Sequence, residues 1–348
     1  MKTVLFCNLP YAFSIFKPLA DALKTKGMTP LWYMNPSLRK QFPYEGEIMT
    51  SIEELEAYES DAIFVCGNDV PFWLRGVKVQ IFHGLAGEKK GHFRIRDYFD
   101  LYLTPGPYFT ERFQALANRH QNFHVTQTGW SKLDPLFQTP HHILETKRRL
   151  LDAHNAKHLI LYAPTFSPSL TSAPILVETI KQLANQDDTL ILIKFHDKMK
   201  PEWRTLYEGL SSDILIQEEQ DITPLLQMAD LMISDTSSVV YEFLLLDKPV
   251  ITYKSTSEHI RWCDTTDTTM LYSATRALLD GEDHFKEKRK EVIALYHPYQ
   301  DGRSSYRIIE ATEHYIQKFG IPTKRDLPLH RKIKMIKQYG ASWRKLFR

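Results

Sequence analysis

Short runs of Val, Ile, Leu and Phe alternate with amphipathic stretches along most of the chain. The apolar runs are bounded by polar or turn-forming residues and predict buried strands. These runs are Thr3–Cys7, Ala62–Cys66, Val77–Phe82, Leu101–Thr104, His124–Gln127, His158–Tyr162, Leu190–Phe195, Ile214–Gln217, Leu231–Ile233 and Val250–Tyr253. The helical patterns include Ser14–Lys26, Tyr108–Ala117, Ile175–Ala184, Glu202–Gly209 and Val239–Leu246. Strands that alternate with helices in this way predict an α/β fold with parallel sheets.

The series of strands runs twice along the chain, with a polar helical stretch at 139–155 between the two runs. The 348 residues exceed the ~250–300 residues over which one hydrophobic core usually grows. We therefore expect two Rossmann-like lobes, at 1–140 and 141–320, followed by a tail at 321–348.

Composition narrows the class of protein. The 43% of apolar and 25% of charged residues are ordinary globular values, so we expect most of the chain to fold. Cys7, Cys66 and Cys263 lie in no metal-ligand spacing and favour a reducing, cytoplasmic compartment. No apolar run approaches the ~20 residues needed to cross a bilayer. The sequence implies no cofactor, and no pattern supports a metal.

Positive charge is concentrated at the carboxyl terminus. Residues 324–348 contain nine basic residues and one acid, a net +8, which leaves −6 for the rest because the total is +2. A nucleic-acid surface is therefore not expected on the body. The tail has the pattern of an interfacial helix, with an anionic membrane as its partner. The predicted membrane residues are Arg331, Lys332, Lys334, Lys337, Trp343, Arg344, Lys345 and Phe347. The alternative is a basic helix that packs its apolar stripe on the protein's own body.

Polar residues follow several predicted strands directly. His83 and Gly84 follow one strand, Thr165 another and His196 a third. Ligands of open parallel sheets bind beyond the carboxyl ends of the strands, so these ends are candidate sites. A neutral imidazole suits general-base work on a hydroxyl, whereas each histidine taken alone also fits a structural role.

Two serine-rich segments precede predicted helices. Ser237 and Ser238 follow the Leu231–Ile233 strand, and the second segment contains Gly302, Arg303, Ser304 and Ser305. Serine at a helix start caps free amides, and such a start also binds anions. Two such segments suit a diphosphate, although a cap alone explains each of them.

Read in order, these stretches resemble the CDP-glycerol glycerophosphotransferase family of teichoic acid synthesis. The matching pieces are His83-Gly84 with Lys89-Lys90, Thr128–Asp134, Leu161–Thr165, Ile193–His196, Ser234–Ser238 through Glu242-Phe243 to Asp247–Pro249, and Asp301–Ser305. The resemblance implies a GT-B fold with two facing lobes, in which the second lobe holds the activated donor.

The resemblance also implies roles for individual residues. His83 is expected to be the catalytic base, and His196 to contact the donor diphosphate. Glu242 is expected to accept hydrogen bonds from ribose hydroxyls. The other residues expected at the donor are Gly84, Thr165, Lys194, Asp235, Ser237, Ser238, Gly302, Arg303, Ser304 and Ser305. Asp197, Thr236 and Lys132 depart from the family pattern and leave the identity of the donor open.

The implied reaction transfers glycerol phosphate, or a related polyol phosphate, from CDP-glycerol or CDP-ribitol to a hydroxyl of a lipid-linked glycan, with release of CMP. The implied location is the inner face of the cell membrane, as a peripheral enzyme. Two alternatives share the architecture: a nucleotide-sugar glycosyltransferase and a UDP-sugar 2-epimerase. A non-catalytic nucleotide-binding protein at the membrane is a third. The polyol, the acceptor and the number of units added stay open.

Overall fold

The computed structural model describes every residue except 83, 86–92, 187, 220, 258, 326 and 348. The chain folds as two compact units. The first unit comprises Met1–Asp134 and Leu295–Arg348, and the second unit comprises Pro135–Ala294.

The sheet of the first unit is built from seven strands among the described residues. They are β1 (Thr3–Cys7), β2 (Leu31–Met34), β3 (Glu47–Met49), β4 (Ala62–Val65), β5 (Val77–Ile81), β6 (Leu101–Thr104) and β7 (His124–Gln127). All pairs are parallel, in the order β3-β2-β1-β4-β5-β6-β7. The order reverses between β1 and β4, which opens a crevice beyond the carboxyl ends of these two strands.

The second unit repeats this design with six described strands. They are β8 (His158–Tyr162), β9 (Thr189–Ile193), β10 (Ile214–Ile216), β11 (Leu231–Ser234), β12 (Val250–Tyr253) and β13 (Cys263–Thr265). They are also parallel, in the order β10-β9-β8-β11-β12-β13. Here the order reverses between β8 and β11, so a ligand crevice is expected beyond these two strands.

Twelve α-helices connect and cover the strands in the described part of the chain. They are α1 (Ala12–Thr25), α2 (Ile52–Tyr58), α3 (Pro107–His120), α4 (His141–Ala153), α5 (Val177–Ala184), α6 (Pro201–Thr205), α7 (Thr223–Met228), α8 (Val239–Leu244), α9 (Thr268–Leu279), α10 (Lys286–Tyr296), α11 (Ser304–Phe319) and α12 (Leu329–Tyr339). No described helix is both long enough and apolar enough to span a bilayer.

The predicted α/β class and all ten predicted strands are confirmed. Three strands were not predicted. β3 and β13 are three-residue strands at sheet edges, where little apolar surface is buried and the pattern is weak. β2 is buried, but prolines at Pro30 and Pro36 bracket its four residues, so it reads as part of a loop.

The division of the chain differs from the predicted lobes at its last segment. The sequence places residues 141–320 in one lobe, whereas residues from Leu295 onward belong to the first unit. The reason is local: α11 packs against α1, and the carboxylate of Asp134 accepts hydrogen bonds from the first two amides of α11. The chain therefore returns to the first unit after α10.

The basic tail is part of the first unit. The connection from β4 to β5 contains no helix, and all of its residues are described. α12 packs on this connection, with Lys332 above the Phe72 ring and Tyr339 at the edge of Trp73. Met335 and Ile336 are buried. For α12, the alternative of a helix packed on the protein's own body is therefore the one observed.

Candidate active site

Three strand ends of the second unit bring the predicted donor-side residues to one edge of its sheet. β9, β8 and β11 are neighbours. Thr165 follows β8, while Lys194 and His196 follow β9. Asp235 follows β11 and leads into Ser237 and Ser238. The sheet order thus groups residues that lie as much as 73 positions apart in the chain.

Asp235 ties the ends of β8 and β11 together. Its side chain is fully buried. One carboxylate oxygen accepts from the Thr165 amide at 2.8 Å, and the other accepts from the Ser172 amide at 2.8 Å and the Ser172 hydroxyl at 2.9 Å. Burial raises the pKa of Asp235, and these hydrogen bonds oppose the rise. Asp235 was predicted to contact the donor; in the structure its carboxylate instead fixes the 163–172 loop that carries Thr165.

His196 is exposed and held in a defined orientation. Its Nδ1 accepts a hydrogen bond from the Lys198 amide at 3.1 Å, and its ring lies 4.3 Å from that of Phe166. Because Nδ1 accepts, the neutral ring carries its proton on Nε2. Although the residue is exposed, desolvation of part of the ring is the main cause that lowers the pKa of His196, so the ring is mainly neutral at pH 7. The site therefore presents an N–H donor on a fixed ring.

The other donor-side residues of the second unit differ in accessibility. Ser238 is exposed, and its hydroxyl forms no capping hydrogen bond to α8. Ser237 is half-buried, and its amide donates to the Asp235 carbonyl at 3.2 Å. Lys194 is half-buried and donates from Nζ to the Phe195 carbonyl at 3.0 Å. Glu242 lies within α8 and is buried. Serine hydroxyls, an ammonium group and an imidazole N–H together suit phosphate oxygens.

The second serine-rich segment lies in the first unit, and a carboxylate of the protein itself already binds the amides at its helix start. The amides of Ser304 and Ser305 each donate to a carboxylate oxygen of Asp134, at 2.7 Å. Both serines are buried, as is Gly302, whereas Arg303 is exposed. The anion at the start of α11 is therefore an internal carboxylate, and the two serine-rich segments lie in different units rather than together in the predicted donor lobe.

Gly129 and His297 lie at the same contact between residues 128–134 and the 297–305 segment, which we call the internal junction. Gly129 has a φ of +85°, and a Cβ there would lie 2.3 Å from the Ser304 hydroxyl. His297 accepts from the Trp130 amide through Nε2 at 3.0 Å. Burial lowers the pKa of His297 to about 4. The sequence pattern predicts 128–134 and 301–305 in separate lobes, whereas both belong to the first unit and join its two segments.

At the carboxyl edge of the first sheet, only part of the predicted site is described. His83, the predicted base, lies outside the described residues, as do Lys89 and Lys90. Gly84 is described, and a Cβ there would meet no atom within 4 Å. At the end of β1, Asn8 donates from Nδ2 to the Tyr339 hydroxyl at 3.0 Å.

The predicted membrane residues divide into two sets. Arg331, Lys334 and Lys345 form ion pairs with Asp97, Asp69 and Glu56 on the body of the first unit. Lys332 donates to the Leu346 carbonyl at 3.3 Å. The second set is exposed and forms no ion pair with a described residue: Lys337, Trp343, Arg344 and Phe347.

Comparison with solved structures identifies the fold. The wall teichoic acid polymerase TagF matches 91% of this chain and 89% of its own chain, with a TM-score of 0.64 and 17% identity. A putative UDP-N-acetylglucosamine 2-epimerase from Listeria monocytogenes matches 94% of this chain and 98% of its own, with a TM-score of 0.65 and 16% identity. The predicted GT-B fold is confirmed, and both likenesses concern the fold alone.

The sequence relatives indicate the protein family, which the structural matches do not. The teichoic acid ribitol-phosphate polymerase TarK of Staphylococcus aureus is 27% identical over 67% of this chain and 51% of its own length. The teichoic acid glycerol-phosphate primase of Bacillus subtilis is 27% identical over 60% of this chain and 58% of its own. The chain thus spans about half the length of the curated relatives it matches. The family model for CDP-glycerol:poly(glycerophosphate) glycerophosphotransferases matches residues 24–261, well over half of the chain. The chain therefore belongs to this family.

Proposed function

We propose that this protein transfers a polyol phosphate from a CDP-activated donor to a hydroxyl of a membrane-held glycan. The observation that carries the proposal is the family match over residues 24–261, which includes every strand end grouped at the edge of the second sheet. The fold likeness to an epimerase favours no particular chemistry, whereas the family match favours phosphotransfer over the sugar-transfer and epimerase alternatives.

The second unit supplies the donor side in this proposal. The Nε2–H of His196 and the hydroxyls of Ser237 and Ser238 contact the diphosphate, with Lys194 adding positive charge. Glu242 accepts from the ribose. Asp235 acts indirectly, because it orients the Thr165 loop.

The first unit supplies the acceptor side. His83 takes the proton from the acceptor hydroxyl, whose oxygen attacks the phosphorus that carries the polyol. The new bond joins that phosphorus to the acceptor oxygen, the bond to the CMP oxygen breaks, and CMP leaves with the bonding electrons. His196 stabilises the charge that develops on the leaving phosphate.

The donor is CDP-glycerol or CDP-ribitol, because the relatives include a glycerol-phosphate primase and a ribitol-phosphate polymerase. The acceptor is a glycan held by a lipid at the cytoplasmic face of the membrane. The protein works there as a peripheral enzyme at an anionic surface.

Binding and turnover test the two sides separately. Calorimetry with CDP-glycerol, CDP-ribitol and a UDP-sugar should show preference for a CDP-polyol, and Ser238→Ala should weaken that binding about ten- to hundredfold. His83→Ala should slow CMP release about 10²–10⁴-fold while it leaves donor affinity unchanged. Preferential binding of the UDP-sugar contradicts the proposal, and a His83→Ala enzyme with more than half of normal turnover excludes His83 as the base.

A further inference from the structure

The last residues of the chain differ from α12 in how they meet solvent. α12 buries Met335 and Ile336 on the first unit. The 3-10 turn that follows, Trp343–Phe347, has no buried residue. Trp343 is 53% exposed and Phe347 is 92% exposed. Apart from Leu329 at the start of α12, the exposed large apolar side chains of the described tail residues therefore lie in this final turn.

Ion pairs with the body of the first unit neutralise part of the positive charge of the tail. Arg331 and Lys334 of α12 are paired with Asp97 and Asp69. Lys337, in the last turn of α12, and Arg344, in the final turn, are exposed, and no ion pair joins either of them to a described residue. Lys345 of the final turn is paired with Glu56. The unpaired cation Arg344 therefore lies between the two exposed aromatic residues in sequence.

The position of the turn is fixed at its start. Tyr339 is the last residue of α12, and its hydroxyl accepts from Asn8 directly after β1. Its ring also lies 6.2 Å from that of Phe6. Gly340 then adopts a φ of +63°, which ends the helix. The turn thus begins at the carboxyl edge of the first sheet, the edge at which β5 ends at Ile81.

We infer that the final turn, together with the neighbouring Lys337 at the end of α12, is the surface that contacts an anionic lipid headgroup layer. Tryptophan and phenylalanine rings insert at the headgroup level, and exposed Lys and Arg bind the lipid phosphates. α12 packs on the first unit and thereby holds the turn beside the carboxyl edge of the first sheet. The inference rests on the proposed function for the identity of the acceptor, because a lipid-held acceptor would then reach an enzyme already at the surface.

Vesicle cosedimentation with the full chain tests the inference. Phosphatidylglycerol and phosphatidylcholine vesicles are the probes, each at low and high salt. Trp343→Ala/Phe347→Ala should weaken binding to phosphatidylglycerol at least tenfold. Lys337→Gln/Arg344→Gln should weaken it about thirtyfold at low salt and much less at high salt.

Matched controls are available within the chain. Leu329→Ala removes a residue that is 63% exposed at the other end of α12, and Lys286→Gln/Lys288→Gln removes two exposed charges from α10. Both should bind phosphatidylglycerol vesicles like the wild type. The single variant Phe347→Ala controls for misfolding, because removing an almost fully exposed side chain should not destabilise the fold.

Three outcomes overturn the inference: unchanged binding in both turn variants, an equal loss in the Leu329→Ala control, or equal binding to the two lipids. An occupant other than lipid, such as a partner protein, would give the first of these. CMP release on a short soluble acceptor is measured in parallel and should be unchanged in the turn variants. If the wild type releases no CMP but its vesicle binding depends on the turn, the proposed function fails and this inference stands.

Discussion

Asp134→Asn distinguishes the internal junction seen in the structure from the phosphate cradle that the sequence suggested. In the wild type, the two carboxylate oxygens accept separately from the Ser304 and Ser305 amides, both at 2.7 Å. Asparagine keeps one acceptor oxygen and places an NH₂ group against the other amide. One charge-assisted hydrogen bond becomes neutral, and the other is replaced by two opposed N–H groups.

The magnitude follows from these two losses. A hydrogen bond to a charged group contributes about 1.5–3 kcal/mol, and a buried amide left without an acceptor costs about 1–3 kcal/mol. The free energy of unfolding of the first unit should therefore fall by about 2.5–6 kcal/mol. With a urea m-value of about 2–3 kcal/mol/M, the midpoint should drop by at least about 1 M.

Urea unfolding followed by tryptophan fluorescence measures this change, because Trp130 lies beside the junction. Donor affinity is measured on the folded protein by calorimetry. Ser305→Ala retains the backbone amide and should leave the affinity for the CDP-polyol unchanged, whereas Ser238→Ala should lower it. If Ser305→Ala weakens donor binding tenfold while Asp134→Asn keeps wild-type stability, the junction is a donor site and our interpretation fails.

Three further perturbations follow from the structure. Gly129→Ala should destabilise the first unit by about 2–5 kcal/mol in urea unfolding, because its φ is +85° and the new Cβ would lie 2.3 Å from the Ser304 hydroxyl. His297 should make stability pH-dependent: its folded pKa of about 4 lies below the unfolded value of about 6.5, so the unfolded state binds the proton first. About 3 kcal/mol should be lost as the pH falls from 6.5 to 4, measured by urea unfolding at each pH. His196→Ala should raise the donor Kd about ten- to hundredfold by calorimetry.

Each of these has a matched control. Gly27 also has a positive φ, +75°, but a Cβ there would meet no atom within 4 Å, so Gly27→Ala should cost less than Gly129→Ala. His297→Gln should flatten the pH dependence between 4 and 6.5. His141 is exposed in the same unit as His196, and His141→Ala should leave the donor Kd unchanged. If a variant and its control behave alike in any of these three comparisons, the role that we assign to Gly129, His297 or His196 is contradicted.

Most of the buried strands could be predicted because they are mainly apolar runs flanked by turn residues, and buried β2 is the exception. β8 and β9, for example, are buried over nearly all their length, and their sequences show it directly. Edge strands such as β3 and β13 bury less and leave little periodic signal. The strand ends of the second unit were also predictable, since parallel strands present their carboxyl ends at a common edge.

The partners of the buried carboxylates could not be predicted. Asp235 and Asp134 both accept hydrogen bonds from backbone amides distant in sequence, 63–70 residues away for Asp235 and 170–171 for Asp134. A helix start next to serines has the same local pattern whether its anion is a ligand phosphate or an internal carboxylate. Only the tertiary structure distinguishes the two, and it shows that the amides of Ser304 and Ser305 are paired internally.

The tail shows that an amphipathic pattern does not identify the surface on which a helix packs. Its periodicity correctly indicates one apolar face, but periodicity does not reveal what covers that face. The connection between β4 and β5 lacks a helix, and α12 packs there. Arg325 also forms a nearly buried ion pair with Asp100. A truncation before Lys324 would therefore remove structural contacts as well as the final turn, which makes point variants the better probes of membrane contact.

The ratio of products in a single reaction distinguishes CDP-polyol phosphate transfer from the alternative reactions. The full chain is incubated with CDP-glycerol or CDP-ribitol and a lipid-linked glycan acceptor, and both CMP and polyol phosphate attached to the acceptor are quantified. We expect one CMP for each polyol phosphate transferred with at least one of the two donors, and loss of both products in His196→Ala at subsaturating donor. Absence of CMP with both donors, or UDP release from a UDP-sugar under the same conditions, would contradict the proposed transfer.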